Sequence, residues 1–312
     1  MLAGCTRRKP SSPIRVQASQ FVYTAPLYLA LEAGYFRQEG LPVEIEESDG
    51  SRTSIPLLAG GKSDVAFASP SPQLVNALGR GARIRVVAGR MKYSQACGDG
   101  RSVYGSRKAF PGGFTDFRQL KGKSVAVEAR VNIQAYAFHV ALKSAGLTRE
   151  DVRIVKLEDR MAAAMLAAGK IDVSFVANTP IQMTSFLQNV VKGPSFASIL
   201  PGFTYGYVVF GRRLLDEAPD DGTRFLRAFL RGSREYVAGR NPKFLLDLAK
   251  KGGMDEQLVL NHCRNDISLD GAIPEREIQA FIDWGVAEGH ITSPVRAEDV
   301  IDKRFLREVK SV

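Results

Sequence analysis

The side chains best suited to catalysis or metal binding are few in this chain and far apart. Its three histidines, His139, His262 and His290, form no local cluster, and its three cysteines lack the CxxC spacing of a zinc ribbon. No Ser-His-Asp or Cys-His arrangement has local support in the sequence. We therefore expect a binding protein with no catalytic residue, no cofactor and no metal site.

Two arginines, Arg52 and Arg130, stand where a predicted strand gives way to a helix. A guanidinium offers a planar fork of donors that matches a carboxylate, sulfonate or phosphate group. The backbone N–H groups at the start of a helix also favour anions. The two arginines therefore predict recognition of a negatively charged solute. For Arg130 the alternatives are a salt bridge with Glu128 or exposure to water.

Polar and aromatic residues occupy further positions of the same kind. In open parallel sheets the ligand lies beyond the carboxyl ends of the strands. Besides the two arginines, the residues expected there are Phe21, Tyr23, Thr24, Ser51, Ser69, Ser71, Glu128, Asn132, Asn178, Thr179 and Tyr205. Phe21 and Tyr23 favour a stacking wall for a planar ligand, with core packing as the alternative. The Ser, Thr and Asn residues can instead be simple helix N-caps, and Tyr205 can pack the hinge.

An internal repeat predicts the elements that position these residues. Residues 57–69 and 165–177 match at seven positions without a gap, including Asp64 with Asp172. Each segment reads as the end of a helix, a glycine cap and a buried strand. With its flanks, the unit strand, helix, strand, helix, strand occurs twice. Strands that alternate with helices indicate mostly parallel sheets flanked by helices, so the repeat predicts two α/β lobes.

The remainder of the chain predicts how the lobes are connected. After about residue 210 the pattern is helical, with a last helix predicted over 297–309, and the short apolar strand 208–210 must return to the first lobe. The chain then crosses between lobes near 101–107 and near 200–207, where Pro201, Gly202 and Gly206 suit a bend. We expect lobe 1 to comprise residues 14–104 and 206–312, and lobe 2 to comprise residues 105–205. Two lobes joined by two crossings describe a hinge-closing clamp.

Composition excludes several classes of protein. The chain has 312 residues, 45% of them hydrophobic, which is incompatible with a disordered linker, and no apolar run long enough to span a bilayer. Its net charge of +10 is spread along the chain without any nucleic-acid-binding motif. We therefore expect a monomer with a solvated basic surface that does not bind nucleic acid.

The first residues suggest a location outside the cytoplasm. The tetrapeptide ending at Cys5 resembles the lipobox of bacterial lipoproteins, in which the cysteine becomes lipidated, and the Pro- and Ser-rich stretch after it reads as a tether. Residues 1–13 are thus expected to be an anchor remnant and tether. No apolar segment precedes the motif, so either the start omits a signal peptide or the match is by chance. An oxidising compartment would allow Cys97 and Cys263 to pair, with free buried thiols as the alternative.

Several segments together resemble the NMT1/THI5-like group of solute-binding proteins of ABC importers, which includes sulfonate, taurine and thiamine-precursor binders. They are residues 23–30, 34–36, 39–41, 57–69, 116–127 and 166–176. The resemblance implies a two-lobed type II periplasmic binding protein fold. It also implies capture of a small solute for a membrane permease and its ATPase. An anionic solute, an aromatic or heterocyclic one, or a solute with both features fits the arginines and aromatics.

Two other functions remain open on this fold. Pyrimidine-precursor synthases of the thiamine pathway resemble the chain in layout, but the His-rich and Cys-rich segments of those enzymes do not occur here. A domain that senses a ligand for a membrane receptor is the other alternative. We favour the binding protein.

Overall fold

The computed structural model describes residues 12–97, 101–128, 131–176 and 188–310. Within these residues the strands form two five-stranded sheets, ordered β2-β1-β3-β10-β4 and β7-β6-β8-β5-β9. The strands of the first sheet are β1 (Ile14–Ala18), β2 (Val43–Glu47), β3 (Val65–Ala68), β4 (Ile84–Lys92) and β10 (Thr204–Gly211). Those of the second are β5 (Ser102–Ser106), β6 (Ser124–Glu128), β7 (Arg153–Leu157), β8 (Val173–Ser174) and β9 (Val190–Ser195). This is the predicted two-lobed α/β architecture.

Each sheet is mostly parallel with one antiparallel strand. In the first sheet β10 runs antiparallel to β3 and β4, and in the second β5 runs antiparallel to β8 and β9. Each of these strands follows a crossing between the sheets and is inserted beside the third strand of the repeat. The apolar strand predicted at 208–210 therefore does join the first sheet, in its interior.

Helices cover the sheets and build the C-terminal part. The helices that follow strands of the repeat, or connect them, are α1 (Ala25–Glu32), α2 (Tyr35–Gln38), α3 (Ser51–Ala59), α4 (Pro72–Gly79), α5 (Ile133–Ser144) and α6 (Asp159–Ala167). The later helices are α7 (Phe196–Ile199), α8 (Pro219–Val237), α9 (Lys243–Gly252), α10 (Glu256–Leu260), α11 (Glu275–Ala287), α12 (Ala297–Val300) and α13 (Arg304–Lys310). No helix of the described residues is both long enough and apolar enough to cross a membrane.

The matched aspartates of the repeat accept equivalent backbone hydrogen bonds in the two sheets. The Asp64 carboxylate accepts a hydrogen bond from the backbone N–H of Arg15 at 2.9 Å, and the Asp172 carboxylate accepts one from that of Ser124 at 2.8 Å. Each carboxylate thus satisfies an amide at the start of the first strand of its repeat, β1 or β6. The matching aspartates of the sequence repeat are therefore fold residues that lie at the amino ends of the strands.

Three details differ from the sequence predictions. Strand β5 begins at Ser102, so the first crossing precedes the predicted 101–107. Gly206 lies within β10 rather than in a bend, whereas Gly202, which was also expected to suit the bend, takes the left-handed conformation at the second crossing, with φ of 73°. The helix predicted over 297–309 breaks at Ile301 because that residue pairs with Val86 at the sheet edge.

The two crossings lie side by side. The backbone of Tyr93 donates a hydrogen bond to the carbonyl of Phe203 at 2.9 Å and accepts one from Gly202 at 3.0 Å. Short segments paired in this way can bend together, as a hinge requires. The lobe bounds given above stay a prediction.

Candidate ligand-binding site

The carboxyl edges of the two sheets meet at a cluster of rings and guanidinium groups. The guanidinium carbon of Arg101, the residue before β5, lies 5.4 Å from the ring centroid of Tyr23 and 5.0 Å from that of Tyr205. Tyr23 follows β1, and Tyr205 lies at the start of the antiparallel β10. The candidate site therefore joins the two sheets at the edge where open α/β sheets bind ligands.

The loop after β1 presents an aromatic wall. The rings of Phe21 and Tyr23 stack with centroids 5.3 Å apart, and Phe21 is 46% exposed. Thr24 is fully buried, and its hydroxyl donates to the carbonyls of Ser19 and Phe21. Phe21 and Tyr23 thus have surface for a planar solute. Thr24 instead holds the loop in shape, and its buried side chain has no surface for a ligand.

The predicted serines of the first sheet hold neighbouring loops together. The Ser51 hydroxyl, in the first turn of α3, accepts a hydrogen bond from the Ser69 backbone N–H at 3.0 Å. Ser71 is the N-cap of α4 and accepts from the backbone of Leu74. The N-cap alternative therefore describes Ser71, while Ser51 and Ser69 fix the loops after β2 and β3 to each other.

Arg52 lies in the first turn of α3 and has a carboxylate partner close in the chain. Its guanidinium pairs with the carboxylate of Asp49, three residues earlier, and its side chain is 54% exposed. The pair is a local surface salt bridge, which is of small energetic worth. Contact between Arg52 and a solute stays a prediction.

Two polar residues of the second sheet lie beyond β6. Asn132 caps α5 by accepting hydrogen bonds from the backbones of Gln134 and Ala135, and its amide donates to Glu128 at 3.3 Å. Both side chains are half-buried. The predicted ligand residues Arg130, Asn178 and Thr179 lie outside the described residues, as does Cys5.

Tyr205 belongs to a polar and aromatic cluster that the sequence did not reveal. Its ring stacks on Tyr93 with centroids 4.2 Å apart, and its hydroxyl donates to the Asp266 carboxylate at 3.1 Å. The backbone of Ser94 donates to the same carboxylate at 3.1 Å. Burial raises the pKa of Asp266, while the charge of Arg101 and these hydrogen bonds act in the opposite direction. Tyr205 thus packs the hinge, the alternative noted for it, and also borders the site.

Arg90 is the buried charge of the site, and sequence reasoning missed it. It lies near the end of β4, is only 3% exposed, and donates a hydrogen bond to the carbonyl of Tyr23 at 3.3 Å. Burial lowers its pKa to about 10, so it stays protonated at neutral pH. Strand β4 also carries Arg85 and Lys92, so the local pattern does not single out Arg90.

Cys97 and Cys263 form a disulfide with Cα atoms 5.6 Å apart. The bond joins the first crossing to the segment that carries Asp266. Native disulfides persist in oxidising compartments and are rare in the cytosol. Within the part of the chain that the structure describes, both cysteines are thus in a disulfide, and no group of His, Cys, Asp and Glu is arranged to hold a metal ion.

The family model described as "NMT1/THI5 like" matches residues 22–243, from the aromatic loop to the start of α9. The chain belongs to this family. A curated relative in sequence is the riboflavin-binding protein RibY of Chloroflexus aurantiacus, 23% identical over 270 residues. That alignment covers 86% of this chain and 74% of the relative.

Solved structures share the fold of this family member. The alkanesulfonate-binding protein SsuA of Xanthomonas axonopodis pv. citri, bound to MOPS, matches with a TM-score of 0.71 at 16% identity. That match covers 95% of this chain and all of the other. A structure named as the desulfurization enzyme DSZB matches with a TM-score of 0.63 at 12% identity, over 96% and 99% of the two chains. The neighbours are mostly binding components of transporters, with this enzyme among them, and these likenesses show the fold alone.

Proposed function

We propose that this NMT1/THI5-like protein is the solute-binding component of an ABC importer that holds a small planar or anionic solute between its two sheets. The observation that supports this best is the stacked pair Phe21–Tyr23, partly exposed where the carboxyl edges of the sheets meet. An aromatic face that is left exposed beside a hinge is suited to stack on a ring. The solute would enter between the lobes and be covered when they close.

The relatives support a solute of this class. RibY is named for riboflavin, whose ring system is planar, and SsuA is described with MOPS, a ring that carries a sulfonate. In this chain the aromatic loop suits a ring, and the arginines around it suit an acid. Both lobe bounds, 14–104 with 206–312 and 105–205, belong to this proposal.

Delivery to a permease and its ATPase is the second part of the proposal. The disulfide favours an extracytoplasmic location, because such bonds persist where the surroundings are oxidising. We further propose that Cys5 carries a lipid anchor and that residues 6–13 are the tether. A Cys5→Ser variant, expressed with its native leader, would then leave the membrane fraction without a change in solute affinity. Unchanged membrane attachment of the variant would contradict the anchor.

Native mass spectrometry of the purified protein tests the capture of a solute. We expect a retained small molecule with a ring, an acidic group or both, and a thermal shift when the same molecule is added back. A solute at about 100 times its Kd adds roughly 2.7 kcal/mol to the free energy of unfolding. The matched variant is Tyr23→Ala, which removes the ring, and the control is Tyr35→Phe on α2, away from the cluster. Retention by wild type and Tyr23→Ala alike would contradict the site.

The enzyme alternative rests on the fold shared with the desulfurization enzyme. It predicts turnover of the retained molecule. Recovery of that molecule unchanged after prolonged incubation with the protein would favour the binding protein. Formation of more than one product molecule per protein molecule would favour the enzyme.

A further inference from the structure

Arg90 is a buried positive charge that lacks an acidic partner among the described residues. Its guanidinium lies 5.5 Å from the Tyr23 ring centroid and 5.1 Å from that of Phe67, and its Nε–H has no hydrogen-bond acceptor within the described part of the chain. Within the described residues its guanidinium donates hydrogen bonds to the carbonyl of Tyr23 and the sulfur of Met91, neither of which carries a charge. A buried charge without compensation costs several kcal/mol, so its presence calls for a partner.

The absence of a side chain at Gly206 leaves space for the side chain of Arg90. A Cβ placed on Gly206 would lie 2.9 Å from Met91 Cε, 3.2 Å from Arg90 Cγ and 3.3 Å from Arg90 Nε. Because β10 lies between β4 and β3, the bare backbone at Gly206 lets Arg90 cross the face of β10 toward Tyr23 and Phe67. Gly206 is therefore a positioning residue for this guanidinium.

A second guanidinium approaches the same ring. Arg101 lies 5.4 Å from the Tyr23 centroid, close to the 5.5 Å of Arg90, and its positive charge further lowers the pKa of Arg90. Asp266 is the carboxylate on which Arg101 acts. Two guanidinium groups thus approach one tyrosine ring at the junction of the sheets, and that of Arg90 is buried without an ion pair to a described carboxylate.

We propose that Arg90 and Arg101 form an anion subsite that takes the carboxylate, sulfonate or phosphate group of a ring-bearing solute. The inference rests on the proposed function and names the class of its solute as an acid rather than a neutral ring. The ring stacks at Phe21 and Tyr23, the Arg90 Nε–H supplies a donor, and the two charges compensate the acid. Arg52 has no part in the subsite.

The experiment compares acids with their neutral counterparts by calorimetry on the full chain. The pairs are riboflavin 5′-phosphate with riboflavin, nicotinate with nicotinamide, and benzenesulfonate with benzenesulfonamide, so that the three acidic groups are distinguished. At least one acid should bind at least about tenfold more tightly than its neutral partner. Arg90→Met should weaken binding of that acid about 30-fold or more and remove the preference. Arg52→Met is the matched control and should leave both affinities unchanged.

Two further variants keep the test independent of the folding of Arg90→Met. Gly206→Ala keeps the guanidinium but displaces it, and Arg101→Gln removes the second charge; each should reduce the preference for the acid. Arg90→Met itself should melt no earlier than wild type without solute, because it removes a buried charge and leaves no carboxylate unpaired.

Each remaining outcome overturns the inference in a recognisable way. A neutral ring that binds as tightly as its acid overturns the subsite and leaves the capture of a planar solute standing. An acid preference that survives Arg90→Met and Arg101→Gln overturns the assignment to these residues. Failure of every acid to bind overturns the subsite, and native mass spectrometry then decides separately whether the protein retains any solute.

Discussion

Loss of the Cys97–Cys263 disulfide should destabilise the protein strongly, because the bond closes a very long loop. The cysteines are 166 residues apart, and the loop between them contains the whole second sheet. In the chain-entropy treatment, such a loop corresponds to about 5 kcal/mol of stabilisation at 25 °C, an upper value for native disulfides. If the second sheet stays folded while the first unfolds, the free loop is shorter, but the logarithmic dependence on loop length lowers the loss only to about 4 kcal/mol.

The assay is urea unfolding of the Cys97→Ser/Cys263→Ser variant beside wild type, followed by circular dichroism. We expect the free energy of unfolding to fall by about 2–5 kcal/mol. Wild type with reductant is the control and should match the variant. A loss below about 1 kcal/mol in both the variant and the reduced wild type would refute the reasoning, because the disulfide would then not restrict the unfolded chain.

Three further predictions follow from particular contacts. Asp172→Ala should lower the free energy of unfolding by about 3 kcal/mol. Asp64→Ala should lower it further, because Asp64 also pairs with Arg213 at 3.1 Å. A larger loss for Asp172→Ala than for Asp64→Ala in urea titrations would contradict this. Hydrogen bonds from the side chain and backbone of Arg118 lower the pKa of Asp116 to about 2, so the stabilisation they bring is present above the ordinary carboxyl pKa and is lost as the pH falls through about 2. Carbon-detected NMR titration should show that low pKa and its rise in Arg118→Ala; a pKa that is ordinary in both would refute the pairing. X-ray scattering should show a smaller radius of gyration with bound solute, and an unchanged curve would speak against closure about the paired crossings.

The repeated unit explains why the architecture could be predicted from the sequence. The matched segments around Asp64 and Asp172 each give a helix end, a glycine and a buried strand, and they lie at the same position in the two sheets. Strands β4, β5 and β9 were missed because polar residues and glycines interrupt their apolar pattern, as Arg85, Gly89 and Arg90 do in β4. Their strand form comes from pairing with distant segments, which local pattern does not record.

The aromatic loop of the candidate site could be predicted from the sequence, whereas its buried arginine could not. The loop of Phe21 and Tyr23 follows β1, so its location came directly from the strand pattern. Arg52 looked suitable because it opens a helix, yet the carboxylate of Asp49 three residues earlier neutralises it. Arg90 and Asp266 are 176 residues apart in the sequence. Arg90 contacts Tyr23 and Asp266 contacts Tyr205, two rings that only the tertiary structure brings to Arg101.

A crystal structure of the protein with its retained solute tests the central claim most directly. The account predicts the solute ring against Phe21 and Tyr23, and its acidic group at Arg90 and Arg101, between the carboxyl edges of the two sheets. The described surface also has a groove of about 490 Å³ on the first lobe, where Tyr35, Arg231 and Arg234 line an alternative position. Solute density in that groove, with the junction of the sheets empty, would contradict the account.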